Sequence, residues 1–386
     1  MPLLLDLKGL KVYFYDQRDK RFIRAVENVS FGVEEGSVLG MVGESGCGKT
    51  VTALSIMGLV DSEPGIVQGE FFFRPKIGDR RAIVHALLRG MERDGNYKRD
   101  GLLNLFYGLD RYIEYRHNPF TIIKDTEKWL RRHNRVMEHV RGRNISMVFQ
   151  SPILSLNPFF SIGTQLKRTI RRFKPEAISA SEVEEIALEL LKSVRIYNPG
   201  EIMGMYPGSL SLGMAQRVIV AIALASDPRL LIADEPTSGL DTTNKIRIIE
   251  LLETLRNMMN LTLILISHNI RIVGMIATDI AVMYAGIIVE QGSKRDVIGE
   301  RRRFLNHPYT EALLSSMPTD SDIKKGRRPK AIHGSVPDNK AIIRGCPFLD
   351  RCSYAEGKIR RRCEEACPDM IEVSPGHLVR CYLYYG

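Results

Sequence analysis

The residues Gly43-Glu44-Ser45-Gly46-Cys47-Gly48-Lys49-Thr50 fit the Walker A pattern in full. Glycines there let backbone N–H groups turn inward and approach phosphate oxygens. Lys49 can reach the β- and γ-phosphates of a nucleotide, and the Thr50 hydroxyl can ligate Mg2+. The bland alternative is a chance Gly-rich turn. It loses because a buried-strand pattern, Val38–Val42, precedes the loop and a helical pattern runs on from Lys49 to about Leu59. That order aims the positive end of a helix at the anion. Cys47 reads as a small loop residue with no catalytic role. A second constellation is Leu230-Leu231-Ile232-Ala233-Asp234-Glu235, an apolar strand that ends in two carboxylates. Asp234 is placed to hold Mg2+, and Glu235 to orient and polarise an attacking water. Alone, such a pair often only marks a strand end; after a complete Walker A it carries weight.

These groups need a scaffold. Strand patterns occur at Leu3–Leu7, Leu10–Tyr15, Val29–Val33, Ile145–Phe149, Leu263–Ile266 and Ile280–Tyr284. Leu230–Ala233 and Leu263–Ile266 enclose a helical stretch, Asn244–Met258, so a largely parallel sheet covered on both faces is expected. Ser181-x-x-Glu184 reads as a capping box. The helix behind it has a core-facing stripe of Val183, Ile186, Ala187, Leu190, Leu191 and Val194. Residues from about 74 to 144 are dense in Arg, Lys and Asp, and read as a mostly helical insertion.

The order of motifs resembles the ATPase subunits of ABC transporters. Gln150 in Val148-Phe149-Gln150 looks like the Q-loop glutamine, and the resemblance assigns it to Mg2+ and water. Leu210-Ser211-Leu212-Gly213-Met214-Ala215-Gln216 looks like the signature, and Ser238-Gly239-Leu240-Asp241 like the D-loop. By resemblance Ser211, Gly213, Gln216 and Asp241 act in trans on a facing subunit's ATP. His268, in Ser267-His268-Asn269, looks like the H-loop histidine that contacts the γ-phosphate. The family also places an aromatic ring on the adenine; Phe14 is the first choice and Tyr15 the second. The implied fold is α/β: a P-loop NTPase of the ABC-ATPase type with N-terminal antiparallel strands. A nucleotide-binding domain is expected over 1–300, with a helical subdomain at about 151–226, and a small Cys-rich C-terminal domain over 301–386.

Ser155-Leu156-Asn157-Pro158, His307-Pro308-Tyr309-Thr310 and Gly345-Cys346-Pro347-Phe348 narrow the resemblance to oligopeptide/dipeptide importers and their oligosaccharide and nickel relatives. That implies two transmembrane permease subunits and, indirectly, an extracytoplasmic solute-binding protein. Leu212 stands where the signature has its first glycine, so hindrance at the partner's ATP, and hence a heterodimer with a second, homologous ATPase, is expected.

Five of the six cysteines fall between Cys346 and Cys381. Their spacing alone leaves zinc, an iron–sulfur cluster and reduced thiols open. The resemblance implies a 4Fe–4S cluster on Cys346, Cys352, Cys363 and Cys381, with zinc as the alternative and Cys367 spare. Composition is that of a soluble globular protein, 44% apolar and 26% charged, with a formal charge of +10. The start lacks a basic leader and no apolar run reaches spanning length, so a peripheral place on the cytoplasmic face of the membrane is expected. A soluble ABC ATPase acting on nucleic acid or ribosomes is the competing class. Nucleic acid is not an expected partner, because the chain has one nucleotide-binding unit and no long coiled-coil insertion.

Overall fold

The computed structural model describes residues 1–60, 63–91, 95–117, 120–174, 178–299, 306–317, 330–337 and 344–385, with backbone alone at 117 and 120. The polar stretch 320–329, whose composition reads as a linker, lies outside the described residues.

The chain opens with β1 (Leu3–Asp16) and β2 (Arg21–Glu34), an antiparallel pair. The two strands expected before Tyr15 are one, with its register shifted between Leu7 and Leu10, where Gly9 takes φ +58°. β3 (Val38–Val42) leads through the glycine loop into α1 (Lys49–Met57), which Gly58 ends in the left-handed region. Next comes β4 (Pro64–Phe73), which pairs with β1.

The stretch from 74 to 144 is corrected from mostly helical to mixed. It holds α2 (Ile77–Leu88), β5 (Lys98–Arg99), β6 (Leu102–Asn104), the hairpin β7 (Ile113–His117) and β8 (Phe120–Lys124), and α3 (Thr126–Met137). Its short strands carry too few residues for a readable alternation, yet tertiary pairing fixes them. β6 joins β4, and the buried Asn104 carboxamide oxygen accepts from the amides of Phe71 (3.2 Å) and Phe106 (3.1 Å).

After β9 (Ile145–Val148) comes a helical run: α4 (Pro152–Ser155), α5 (Ile162–Phe173), α6 (Ala180–Ser193), α7 (Pro199–Gly204) and α8 (Leu212–Leu224). The capping box is also corrected. It is Ser179 with Glu182: Glu182 N–H donates to Ser179 Oγ (3.2 Å), and Ser179 N–H to Glu182 Oε2 (2.8 Å). The helix starts before Ser181, which frees Glu184 to pair with Lys167 on α5 at 2.7 Å. Val183, Ala187, Leu191 and Val194 are buried as the stripe requires.

The remaining elements are β10 (Leu230–Asp234), α9 (Thr242–Met259), β11 (Thr262–Ser267), α10 (Ile270–Ile276), β12 (Asp279–Tyr284), β13 (Ile287–Ser293), α11 (Lys294–Ile298), α12 (Pro308–Ser316), α13 (Gly357–Glu365), β14 (Ile371–Ser374) and β15 (His377–Val379). Among the described residues the main sheet has eight strands, ordered β14-β15-β13-β12-β3-β11-β10-β9. The run from β12 to β9 is parallel. Its central strands β3, β10 and β11 are buried throughout, as expected when both faces are covered. No helix among the described residues is long and apolar enough to cross a membrane.

The C-terminal stretch extends this same sheet, since β15 pairs with β13 through Glu290↔Val379 and Gln291↔Leu378. The fully buried Glu290 carboxylate fastens it. It accepts from Asn306 Nδ2 (2.7 Å) and the His307 amide (2.8 Å), and His377 Nε2 lies 2.8 Å away. Burial pushes His307 down to about 3, so its neutral Nδ1 can accept from the Tyr309 amide (3.1 Å) and cap α12. Glu290→Ala strands three buried donors and is expected to cost about 3 kcal/mol in chemical denaturation.

Candidate nucleotide-binding site

Strand register assembles the site. Val42 pairs with Ser267 and Met41 with Ile266, while Ile266 also pairs with Asp234. The glycine loop, the two carboxylates and His268 therefore leave the sheet at one level, at the carboxyl edge where open α/β sheets bind ligands. Gln150 stands exposed two residues past β9, on the same edge.

Glycine is required in the loop for space. A Cβ on Gly48 would lie 2.5 Å from the Ala25 carbonyl oxygen, and Gly48 takes φ +102°. Lys49 is buried. Its Nζ donates to the carbonyls of Gly43 (2.7 Å) and Glu44 (2.9 Å), folding the loop over the ammonium. Thr50 Oγ1 donates to Asp234 Oδ1 at 3.2 Å. Burial pushes the Asp234 carboxyl up, opposed by that hydroxyl. The buried Asp234 carboxylate beside the more exposed Thr50 hydroxyl suits a hard cation that takes oxygen ligands.

Glu235 sits at φ +47°, uncommon for a residue with a side chain. Its amide donates to the Ile266 carbonyl (3.0 Å), and its carbonyl accepts from the Ser238 amide (3.0 Å). The bend aims the carboxylate at His268, whose Nδ1 lies 3.0 and 2.9 Å from its two oxygens. That hydrogen bond raises His268 above its ordinary value of 6.5. Phe14 is half-buried against the core that holds Cys47 and α1, whereas Tyr15 is exposed with its edge on Phe22.

The trans-acting candidates sit at helix starts. Ser211 caps α8 by accepting from the Met214 amide (3.3 Å), and Asp241 caps α9 by accepting from the Asn244 amide (3.2 Å). Around Gly213 the backbone is open, with nothing within 4 Å of a would-be Cβ. Gln216 is buried, and its Nε2 lacks a hydrogen-bond partner among the described residues. The Leu212 side chain folds back onto Gly239, 3.0 Å from where a Cβ would stand there.

Two residues of the C-terminal stretch reach the glycine loop; the sequence marks Tyr309 only as part of the His307-Pro308-Tyr309-Thr310 motif and gives neither residue a role at the site. Tyr309 Oη accepts from the Glu44 amide, and Arg351 pairs with the Glu44 carboxylate. They lie 265 and 307 residues away in sequence, so nothing local pairs them with the loop.

The iron–sulfur expectation, with its zinc alternative, is corrected. Cys346, Cys352, Cys363 and Cys381 do line one cavity, but it measures about 10 Å3, room for about one water. Among the described residues no three His, Cys, Asp or Glu side chains converge as metal ligands. A hydrogen bond links Cys346 to Cys363, raising the first thiol and lowering the second to about 7, while burial pushes Cys381 up to about 12. The pocket is a packed thiol cluster.

Strand order, glycine loop, paired carboxylates and helical run define an ATP-binding cassette. Two structures share the fold. One is an ATP-binding cassette in a dimeric, post-hydrolysis state bound to ADP and Pi. It is 23% identical with a TM-score of 0.54, covering 76% of this chain and 99% of that one. The other is cbiO1 from Clostridium perfringens, 21% identical with a TM-score of 0.53, covering 78% of this chain and 92% of that one. Residues 26–88 and 102–238 match the ABC transporter family, and residues 289–358 match the oligopeptide/dipeptide transporter C-terminal region. The oligopeptide transport ATP-binding protein AppD of Bacillus subtilis is 35% identical over 100% of this chain and 98% of its own length. The dipeptide transport ATP-binding protein DppD of Haemophilus influenzae is 34% identical over 98% and 95%. The chain belongs to the ABC transporter ATP-binding proteins, in the branch with the oligopeptide/dipeptide C-terminal region. It is an ATPase of that family.

The heterodimer expectation is corrected as well. It rested on Leu212 as an obstruction. That side chain folds onto Gly239 while the α8 start stays capped and open at Gly213. The relatives, described as peptide importer ATP-binding proteins, lend no support to a required unlike partner.

Because its folded value is raised, the His268–Glu235 bond contributes stability that is full below pH 6.5 and lost as pH climbs through the raised value. NMR titration of His268 is expected to show a midpoint above 6.5 that falls in Glu235→Gln.

Proposed function

We propose that this chain hydrolyses MgATP on the Gly43–Thr50 loop to power import of di- or oligopeptides through a membrane transporter. The observation that carries the reading is the contact set at one sheet edge: Lys49 inside the loop, Thr50 on Asp234, and Glu235 on His268. Gly43, Glu44, Ser45, Gly46, Cys47 and Gly48 would cradle the phosphates, with Phe14 against the adenine. Thr50, Gln150 and Asp234 would hold Mg2+, which when bound neutralises charge on the phosphates. Lys49 and His268 stabilise charge that develops on the transferring phosphoryl group. Glu235 orients water for in-line attack. In a paired assembly, Ser211, Gly213, Gln216 and Asp241 would face the other subunit's nucleotide.

The names of the full-length relatives AppD and DppD support a peptide cargo over an oligosaccharide, and a transporter over a soluble ATPase acting on nucleic acid or ribosomes. Partners are then two permease subunits and, indirectly, a solute-binding protein, with this chain peripheral on the cytoplasmic face. Support for docking comes from Leu154 and Phe159, 87% and 83% exposed just beyond Gln150.

Glu235→Gln in the assembled transporter is expected to cut ATP turnover at least about 100-fold while sparing ATP binding. Normal turnover would sink the catalytic assignment. Cells carrying that variant should lose uptake of labelled peptide; unchanged uptake would remove the transport reading.

A further inference from the structure

The second residue of the glycine loop, Glu44, is gripped from two sides. On the inner side its carbonyl accepts from Lys49 Nζ (2.9 Å). On the outer side its amide donates to Tyr309 Oη (2.8 Å). Its carboxylate meets the Arg351 guanidinium in a two-pronged pair, Nη1 to Oε2 at 2.7 Å and Nη2 to Oε1 at 3.1 Å. The peptide unit before Glu44 is thereby oriented with its N–H outward and the following carbonyl inward.

Neither gripping side chain is a loose surface contact. Tyr309 is fully buried, its ring 4.6 Å from Tyr284 and 5.4 Å from Phe348. The Arg351 side chain is 4% exposed. It also donates to the His333 carbonyl (2.8 Å) and to Tyr284 Oη (3.2 Å), and it lies over the Phe348 ring at 5.9 Å. Tyr284 closes β12, the strand beside β3, so the grip is anchored on the sheet that carries the loop. Buried, bidentate arginine–carboxylate pairs hold geometry tightly.

Charge gives the arrangement a purpose. A carboxylate in a loop that receives a triphosphate repels it. The guanidinium cancels that repulsion from outside the cradle, where it takes none of the amides the phosphates need. We propose that Arg351 and Tyr309 are positioning residues for nucleotide binding: together they neutralise and orient Glu44, so that the C-terminal stretch sets the affinity of the loop for ATP. This rests on the reading of Gly43–Thr50 as the ATP loop and adds a control element more than 250 residues away, since Tyr309 and Arg351 lie 265 and 307 residues from Glu44.

The test titrates MgATP calorimetrically into the full-length chain in a Glu235→Gln background, where turnover does not interfere. Binding by that parent protein checks the loop reading itself; no binding there sinks the proposed function, and the variants are judged only against a parent that binds. Arg351→Ala is expected to raise the Kd about tenfold. Adding Glu44→Gln to it should recover most of the loss, because the charge needing compensation is gone. A purely structural role predicts no such rescue. Tyr309→Phe keeps the ring packing, so it stays folded, and should raise the Kd about threefold through its unpaired amide. With Glu235 intact in the assembled transporter, KM for ATP should rise in parallel while kcat stays within about twofold. An unchanged Kd in either single variant overturns the proposal, as does a double variant no better than Arg351→Ala.

Discussion

In-register pairing of β3, β11 and β10 is the constraint on which the rest depends. Side chains in a parallel sheet alternate by single residues, so a slip of one would turn Asp234 away from Thr50. The pairs Met41↔Ile266 and Ile266↔Asp234 forbid that slip. They do so with strands buried on both faces, where only apolar residues fit. The chemistry then begins where each strand ends, and the site's precision is borrowed from the core. Glu235 illustrates the transfer: its left-handed backbone is uncomfortable in isolation and is held by hydrogen bonds to Ile266 and Ser238.

Much of this was legible in the sequence because it is written locally. Gly43 to Thr50 encodes a loop within eight residues, and Leu230 to Glu235 encodes a strand and its two carboxylates within six. What escaped was decided by distant partners. The strands between 98 and 124 are two to five residues long and depend on β4 or on each other, so the stretch around them reads as mostly helical. The α6 cap was misplaced because Ser179 and Ser181 both stand three residues ahead of a glutamate, and Lys167 on α5 claims the second one. Leu212 looked like an obstruction because a one-dimensional motif says nothing about which way a side chain turns.

The cysteines teach a related lesson. A set of thiols can gather in space without making a metal site, since ligation needs room at the centre as well as sulfur around it. Here Phe348, Leu349 and Ile359 line the same small cavity. The C-terminal stretch earns its place through other residues: Glu290 and His377 bind it to the sheet, and Tyr309 and Arg351 carry it to the loop.

That last contact has a bearing on how the molecule is made. A ribosome delivers Glu44 long before Arg351, which follows it by 307 residues. During most of synthesis the glycine loop exists with an uncancelled carboxylate and an unclaimed amide. The grip on Glu44 forms only once Tyr309 and Arg351 have been made. A chain that stops short of Arg351 therefore lacks the guanidinium that pairs with the Glu44 carboxylate.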